Sequence, residues 1–144
     1  MNTLEFLNLL VEQLRRIDGR VSPWGAYTFN YDLHEDAYPR LHFFDEINSF
    51  PLVSATVMDE RIIHAEGGGA LFYSVSVELR GYTYDEAVEE SGEKISQDIE
   101  HVVEHLREQD PRITEVRVLE INTDSGLNAP WGACVIKIEG LFRR

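Results

Sequence analysis

Cysteine is almost missing from this chain of 144 residues: Cys134 stands alone. One thiol excludes an internal disulfide framework and any zinc or iron–sulfur site built on several cysteines, and it fits a reducing compartment. Positive charge is also scarce, with 13 lysines and arginines against 26 aspartates and glutamates and a formal net charge of −13. Such a chain is repelled by the phosphate backbone that supplies most nucleic-acid affinity, so sequence-specific nucleic-acid binding is not expected. No stretch approaches the ~20 apolar residues of a membrane span, and the N-terminus lacks the basic-then-apolar pattern of a secretory leader. No membrane partner is expected, and synthesis in the cytoplasm is. Low-complexity linkers and composition breaks are absent too, which at this length predicts one domain over residues 1–144. What is present is a globular composition, 43% hydrophobic and 10% aromatic, too rich in large side chains for disorder.

The first periodic segment runs from Thr3 to Ile17. Phe6, Leu7, Leu10, Leu14 and Ile17 recur at helical steps, with Asn2 or Thr3 placed to cap the first turn and Asp18-Gly19 to close it. Gly25 to Tyr31, rich in aromatic and β-branched residues, reads as a strand. Strands are also expected at His42–Ile47, at Leu52–Met58 with Val53, Ala55 and Val57 on one face, and at Arg61–Ala65. The firmest strand pattern is Leu71 to Gly81, where Leu71, Tyr73, Val75, Val77 and Leu79 alternate with polar residues. Thr83-Tyr84-Asp85-Glu86 has the spacing of a capping box and predicts a long helix from Thr83 to Glu108. Its apolar stripe is Tyr84, Val88, Ser91, Ile95, Ile99, Val102 and Leu106, with Glu86, Glu89, Glu90, Glu93, Glu100, Glu104 and Glu108 opposite. Gly92 weakens its middle by about 1 kcal/mol. After Pro111, strands follow at Ile113–Asn122 and Ala133–Phe142; the apolar phase of the first switches between Val118 and Leu119, predicting a bulge or burial of both faces. The fold class is therefore α+β, a mixed or antiparallel sheet with an N-terminal helix and one long central helix packed on it, in the order α-β-β-β-α-β-β.

Four features bear on chemistry. His101-Val102-Val103-Glu104-His105 matches the inverted zinc-protease signature, but the helical wheel places both histidines at the edge of the apolar stripe and Glu104 on the polar side. A solvated helix face is the expected role. Gly67-Gly68-Gly69 precedes a strand rather than a helix and has no lysine near, so it reads as a hairpin tip and not as a phosphate cradle. Pro23-Trp24-Gly25-Ala26 recurs as Pro130-Trp131-Gly132-Ala133; both read as proline-led strand starts, side by side in the sheet, with tryptophans that pack in the core or at its edge. Cys134 lies in an apolar strand and reads as an inert core thiol. The residues point to no catalytic, cofactor or metal site, and the protein is expected not to be an enzyme.

Some segments are similar to a known family. Glu46-Ile47-Asn48-Ser49-Phe50-Pro51-Leu52-Val53 leads into a strand, and Tyr73 to Tyr82 leads into Asp85-Glu86-Ala87. With the helix segment Ser96-Gln97-Asp98-Ile99-Glu100-His101-Val102-Val103 and the late loop Asn122-Thr123-Asp124-Ser125-Gly126, and with the order of elements, the chain resembles the tail terminators, or tail completion proteins, of tailed bacteriophages. The resemblance implies a structural subunit of the virion tail, assembled in the host cytoplasm as a homo-hexameric ring. Such a ring caps the tail tube, stops its polymerisation and receives the head connector. The loops around Gly67, Gly68 and Gly69 and around Ser125 are the expected places for contacts with tube subunits or adjacent protomers, because loops carried on a rigid sheet do the recognising; the resemblance itself does not fix these residues.

The charges allow a ring. Eleven of the 13 basic residues are arginines, which suit interface carboxylates, and they gather at Arg15-Arg16-Arg20 and Arg143-Arg144. Glu93 and Glu100 of the acidic face are expected to meet such arginines on a neighbouring subunit. Three other readings remain open: a small acidic inhibitor, immunity protein or DNA mimic that binds a basic partner, a head-side neck connector, and a zinc hydrolase using His101 and His105.

Overall fold

The computed structural model describes residues 1–42, 47, 49–64, 67, 69, 71–85, 90–124 and 130–144. Helix α1 spans Thr3–Leu14, and the Asn2 side chain caps it by accepting the Glu5 amide at 2.8 Å. Phe6, Leu7, Leu10, Val11 and Leu14 form its buried stripe. Strands β1 (Ala37–Tyr38), β2 (Leu52–His64) and β3 (Leu71–Tyr84) follow, then helix α2 (Ser91–Leu106), β4 (Ile113–Thr123) and β5 (Trp131–Arg143). The order α-β-β-β-α-β-β and the α+β class stand as expected.

The strands form one mixed sheet in the order β1-β2-β3-β5-β4; β1 is parallel to β2 and every other pairing is antiparallel. Strict alternation sorts the side chains. Tyr73, Val75, Val77 and Leu79 of β3 stand level with Phe142, Gly140, Ile138 and Ile136 of β5 and face the helices. α1 covers the β1–β2 side and α2 the β3, β5 and β4 side. The Phe6 ring lies on Gly140, where a Cβ would overlap it, and stacks on Phe142 with centroids 5.0 Å apart. The opposite face is charged: Arg80 bonds Glu78, Arg117 bonds Glu139 at 2.8 Å, and Lys137 lies 3.4 Å from Glu120. At one end of that face Ile47, Leu52 and Tyr82 form a second apolar cluster, with the Tyr82 hydroxyl donating to the His42 carbonyl at 2.9 Å.

Four sequence expectations are corrected. Gly25–Tyr31 is not a strand; the segment is a packed loop closed by the isolated bridges Asp18–Asp32 and Val21–Thr28. Arg61 to His64 is no separate strand but the far half of β2, which a register shift between Val57 and Asp59 carries past Met58. Thr83 does not cap a helix: it is buried in β3, and α2 starts at Ser91 with no side-chain cap. The two Pro-Trp-Gly-Ala segments are not neighbours, since Trp131 opens β5 while Trp24 lies in the loop. The bulge predicted in β4 is present between Val118 and Glu120, although that strand is largely exposed. Most of His42–Ile47, together with Glu86, Val88 and Glu89, lies outside the described residues.

Candidate interaction surfaces and the histidine cluster

The loop after α1 is fixed to α2 by one carboxylate. Asp98 is fully buried and accepts from the Tyr27 hydroxyl at 2.6 Å, the Asn30 amide at 2.9 Å, the Tyr31 amide at 2.9 Å and Asn30 Nδ2 at 3.2 Å. Burial raises the Asp98 carboxyl above its ordinary value, against the lowering effect of these donors. Burial, then the Asp98 hydrogen bond, pushes the Tyr27 phenol upward. The sequence signal for this network was an aspartate set beside Ile95, Ile99 and Val102 in an otherwise apolar stripe.

His101 and His105 are half-buried rather than on a solvated face. Tyr27 stacks on His101 at 4.4 Å and Trp24 on His105 at 5.8 Å between centroids, and His101 Nε2 lies 2.6 Å from Ser22 Oγ. The aromatic residues that read as a strand thus pack on α2. Burial, then the neighbouring His105, holds the His101 pKa below its ordinary value. His101, Glu104 and His105 present atoms within 4.8 Å of one another that could ligate a metal ion. All three lie on one helix, and the ring contacts pack both histidines against the loop after α1.

The expected interface residues separate into distinct places. Gly67 and Gly69 are exposed at the turn between β2 and β3, and Arg143 pairs with Phe72 at the base of that hairpin. Gly68 and Ser125 lie outside the described residues. Glu93 and Glu100 are half-buried on the flank of α2 turned away from Asp98 by helical spacing. Burial, then the Glu104 charge, raises the Glu100 carboxyl. Arg15 is at the other side of the helix layer, where its Nε donates to the Ala37 carbonyl at 3.0 Å, and the Arg16 guanidinium sits 6.0 Å from the Trp24 ring centroid. Arg15 and Arg16 border a shallow depression of about 430 Å³ together with Asp18, Asp32 and Glu35, so that patch is mixed in charge. Cys134 is buried and its thiol is pushed up to about 12, as an inert core thiol requires.

The sequence reading missed the sheet borders. β4 forms one of them, and on the other β1 covers only Val53 and Ser54 of β2. Both carry large apolar side chains in solvent: Met58 (60% exposed), Ile62 and Ile63 on β2, and Val118, Leu119 (53%) and Ile121 on β4. Among the described residues no helix is long and apolar enough to cross a membrane. An arrangement of covered core, charged sheet face and apolar borders can bind other protein surfaces.

Residues 8–142 match a protein-family model described as Bacteriophage Tail Tube Terminator Protein. No curated protein matches the chain.

Proposed function

The chain belongs to the bacteriophage tail tube terminator family, and from that premise we propose that it acts as one non-catalytic domain forming a homo-hexameric ring on the end of the tail tube. The ring stops tube polymerisation and presents the surface on which the head connector docks. It assembles in the host cytoplasm and stays in the virion tail. The family match over nearly the whole chain carries this reading. Two unlike apolar borders on one sheet support it, because a closed ring needs two different patches on each subunit.

The β2–β3 turn with Gly67, Gly68 and Gly69, and the loop holding Ser125, contact the tube protein or an adjacent protomer. Arg143, at the base of the same turn, adds a cation there. Glu93 and Glu100 lie on the flank of α2 turned away from Asp98, and Arg15 bonds the Ala37 carbonyl of β1. Neighbours in a ring therefore bring carboxylates toward guanidinium groups. Native mass by light scattering with negative-stain imaging tests the ring, and the expected result is a hexamer with a central hole. The purified chain added to polymerising tube subunits should fix tube length. A monomer that leaves tube growth unchanged refutes the reading. Glu93→Lys with Glu100→Lys should weaken assembly, and an unchanged oligomer counts against that contact.

A further inference from the structure

Among the described residues both borders of the sheet lack a neighbour, β4 along Ile113–Thr123 and β2 from Ala55 to His64. Unpaired amides and carbonyls on such borders template pairing with another chain, and proteins ordinarily blunt them with charge, proline or shortness. Here the two borders are nearly equal in length. β2 has one bulge, at Met58, and β4 two, at Thr114 and Leu119; Met58 and Leu119 are large apolar side chains left in water. A bulge re-aims a side chain, and among the described residues both of these stay more than half exposed.

The registers show how the borders fit each other. Across the sheet, Ile113 is level with Ile62 through Phe142 and Tyr73, and Val118 with Val57 through Ile138 and Val77. Glu115 is level with Arg61 through Leu141 and Ser74, and Arg117 with Asp59 through Glu139 and Ser76. β2 and β4 run in opposite directions. Rotation about an axis along the strands preserves direction, so β4 of one copy meets β2 of the next antiparallel. With no slide, level residues become facing residues. Both charged pairs so formed are of opposite sign, and both lie on the sheet face away from the helices. A two-residue slip one way opposes Arg117 to Arg61; the other way it opposes Glu115 to Asp59. Like charges directly opposite are unfavourable, so this register is favoured over either slip.

We infer that the ring proposed above is closed by strand addition, β4 of each copy pairing with the Ala55–His64 border of the next, with Glu115 against Arg61, Arg117 against Asp59 and Leu119 beside Met58. The occupant of each border is a second copy of this chain, and six such seams join the sheets into one continuous band. The inference rests on the ring reading and adds its geometry.

The full chain carrying both Glu115→Cys and Arg61→Cys tests it. Within one chain the two positions are three strand spacings, about 14 Å, apart, beyond disulfide reach. The native thiol of Cys134 is buried. Mild oxidation should therefore give a ladder of covalent multimers ending at the ring mass, and each single variant should stop at a dimer. A double variant that stays monomeric on a denaturing gel, while the wild-type chain scatters as a ring, overturns strand addition and leaves the ring standing. A wild-type monomer with no ladder overturns both. Glu115→Arg or Arg61→Glu alone should cut the ring population roughly tenfold, because each seam exchanges a favourable cross-strand pair for like charges. The two substitutions together should restore it, and failure of that rescue overturns the register.

Discussion

Between the helices and the middle of the sheet, side chains meet so closely that a methyl group has no room. A Cβ on Gly132 would overlap Ser91 and Thr83, and one on Gly92 would stand 2.6 Å from the Ala133 carbonyl oxygen. At the sheet borders Met58, Ile62 and Leu119 have more than half their surface in water. β2 alone passes from the fully buried Val53 and Ala55 to the exposed Met58 over a few residues. The apolar area of the interior is already buried within the chain and holds the monomer together. That of the borders remains available for association, and it sits on a backbone already shaped for pairing.

Substitutions that separate monomer stability from assembly test this contrast. The largest effect is expected for Phe6→Ala. Phe6 is fully buried against Gly140 and Phe142, and its loss should cost about 3–5 kcal/mol in chemical denaturation. Asp98→Ala comes next at roughly 2–3 kcal/mol, because it leaves the Asn30 and Tyr31 amides and the Tyr27 hydroxyl without their buried acceptor. A normal denaturation midpoint for Asp98→Ala would show that the loop does not depend on α2.

Acidification should act more gently on the interior, through His101 and Asp98. His101 is held below its ordinary 6.5, so the unfolded chain binds that proton first, and stability falls as pH drops below 6.5 toward the folded value. Asp98 works the other way at lower pH. Its folded pKa is raised above 3.8, so the folded chain takes up the proton first, and this contribution to stability grows as pH falls through that window. Trp24 emission in a Trp131→Phe background should report the His101 step, and His101→Gln should flatten it. The smallest effect on the monomer belongs to the borders. Leu119→Ser or Met58→Ser should change unfolding free energy by less than about 0.5 kcal/mol yet reduce the oligomer seen by light scattering. A large loss of monomer stability there would remove the distinction between the two regions.

Sequence periodicity revealed most of this fold where one face of an element is buried and the other wet. β3 turns Tyr73, Val75, Val77 and Leu79 to the helices as its residues predict, and the phase change at Val118-Leu119 marks a β4 bulge. It failed where tertiary contacts overrode local preference. Thr83 has the spacing of a helix cap, but β3 continues through it beside Gly132, and α2 starts only at Ser91. Tyr27 and Phe29 have strand propensity, yet their pairing stops at single backbone bonds to Ser22 and Arg20 around the Val21–Thr28 bridge, and their rings pack on His101. Gly92 read as a weak point in a helix, whereas it is the place where the start of α2 approaches the backbone of β5. Of the interface residues, the glycine turn was legible from composition. The borders were not, because a strand's place at the edge of a sheet is set by long-range pairing order, which no local pattern encodes.

The two-residue β1 looks too short to matter to stability. By occupying Val53 and Ser54 it nevertheless leaves an incoming strand only the stretch from Ala55 onward. It is a doorstop: a strand arriving at that border is halted by something covalently part of the receiving chain. In the ring proposed above, such a stop would fix how far each incoming strand slides before it seats.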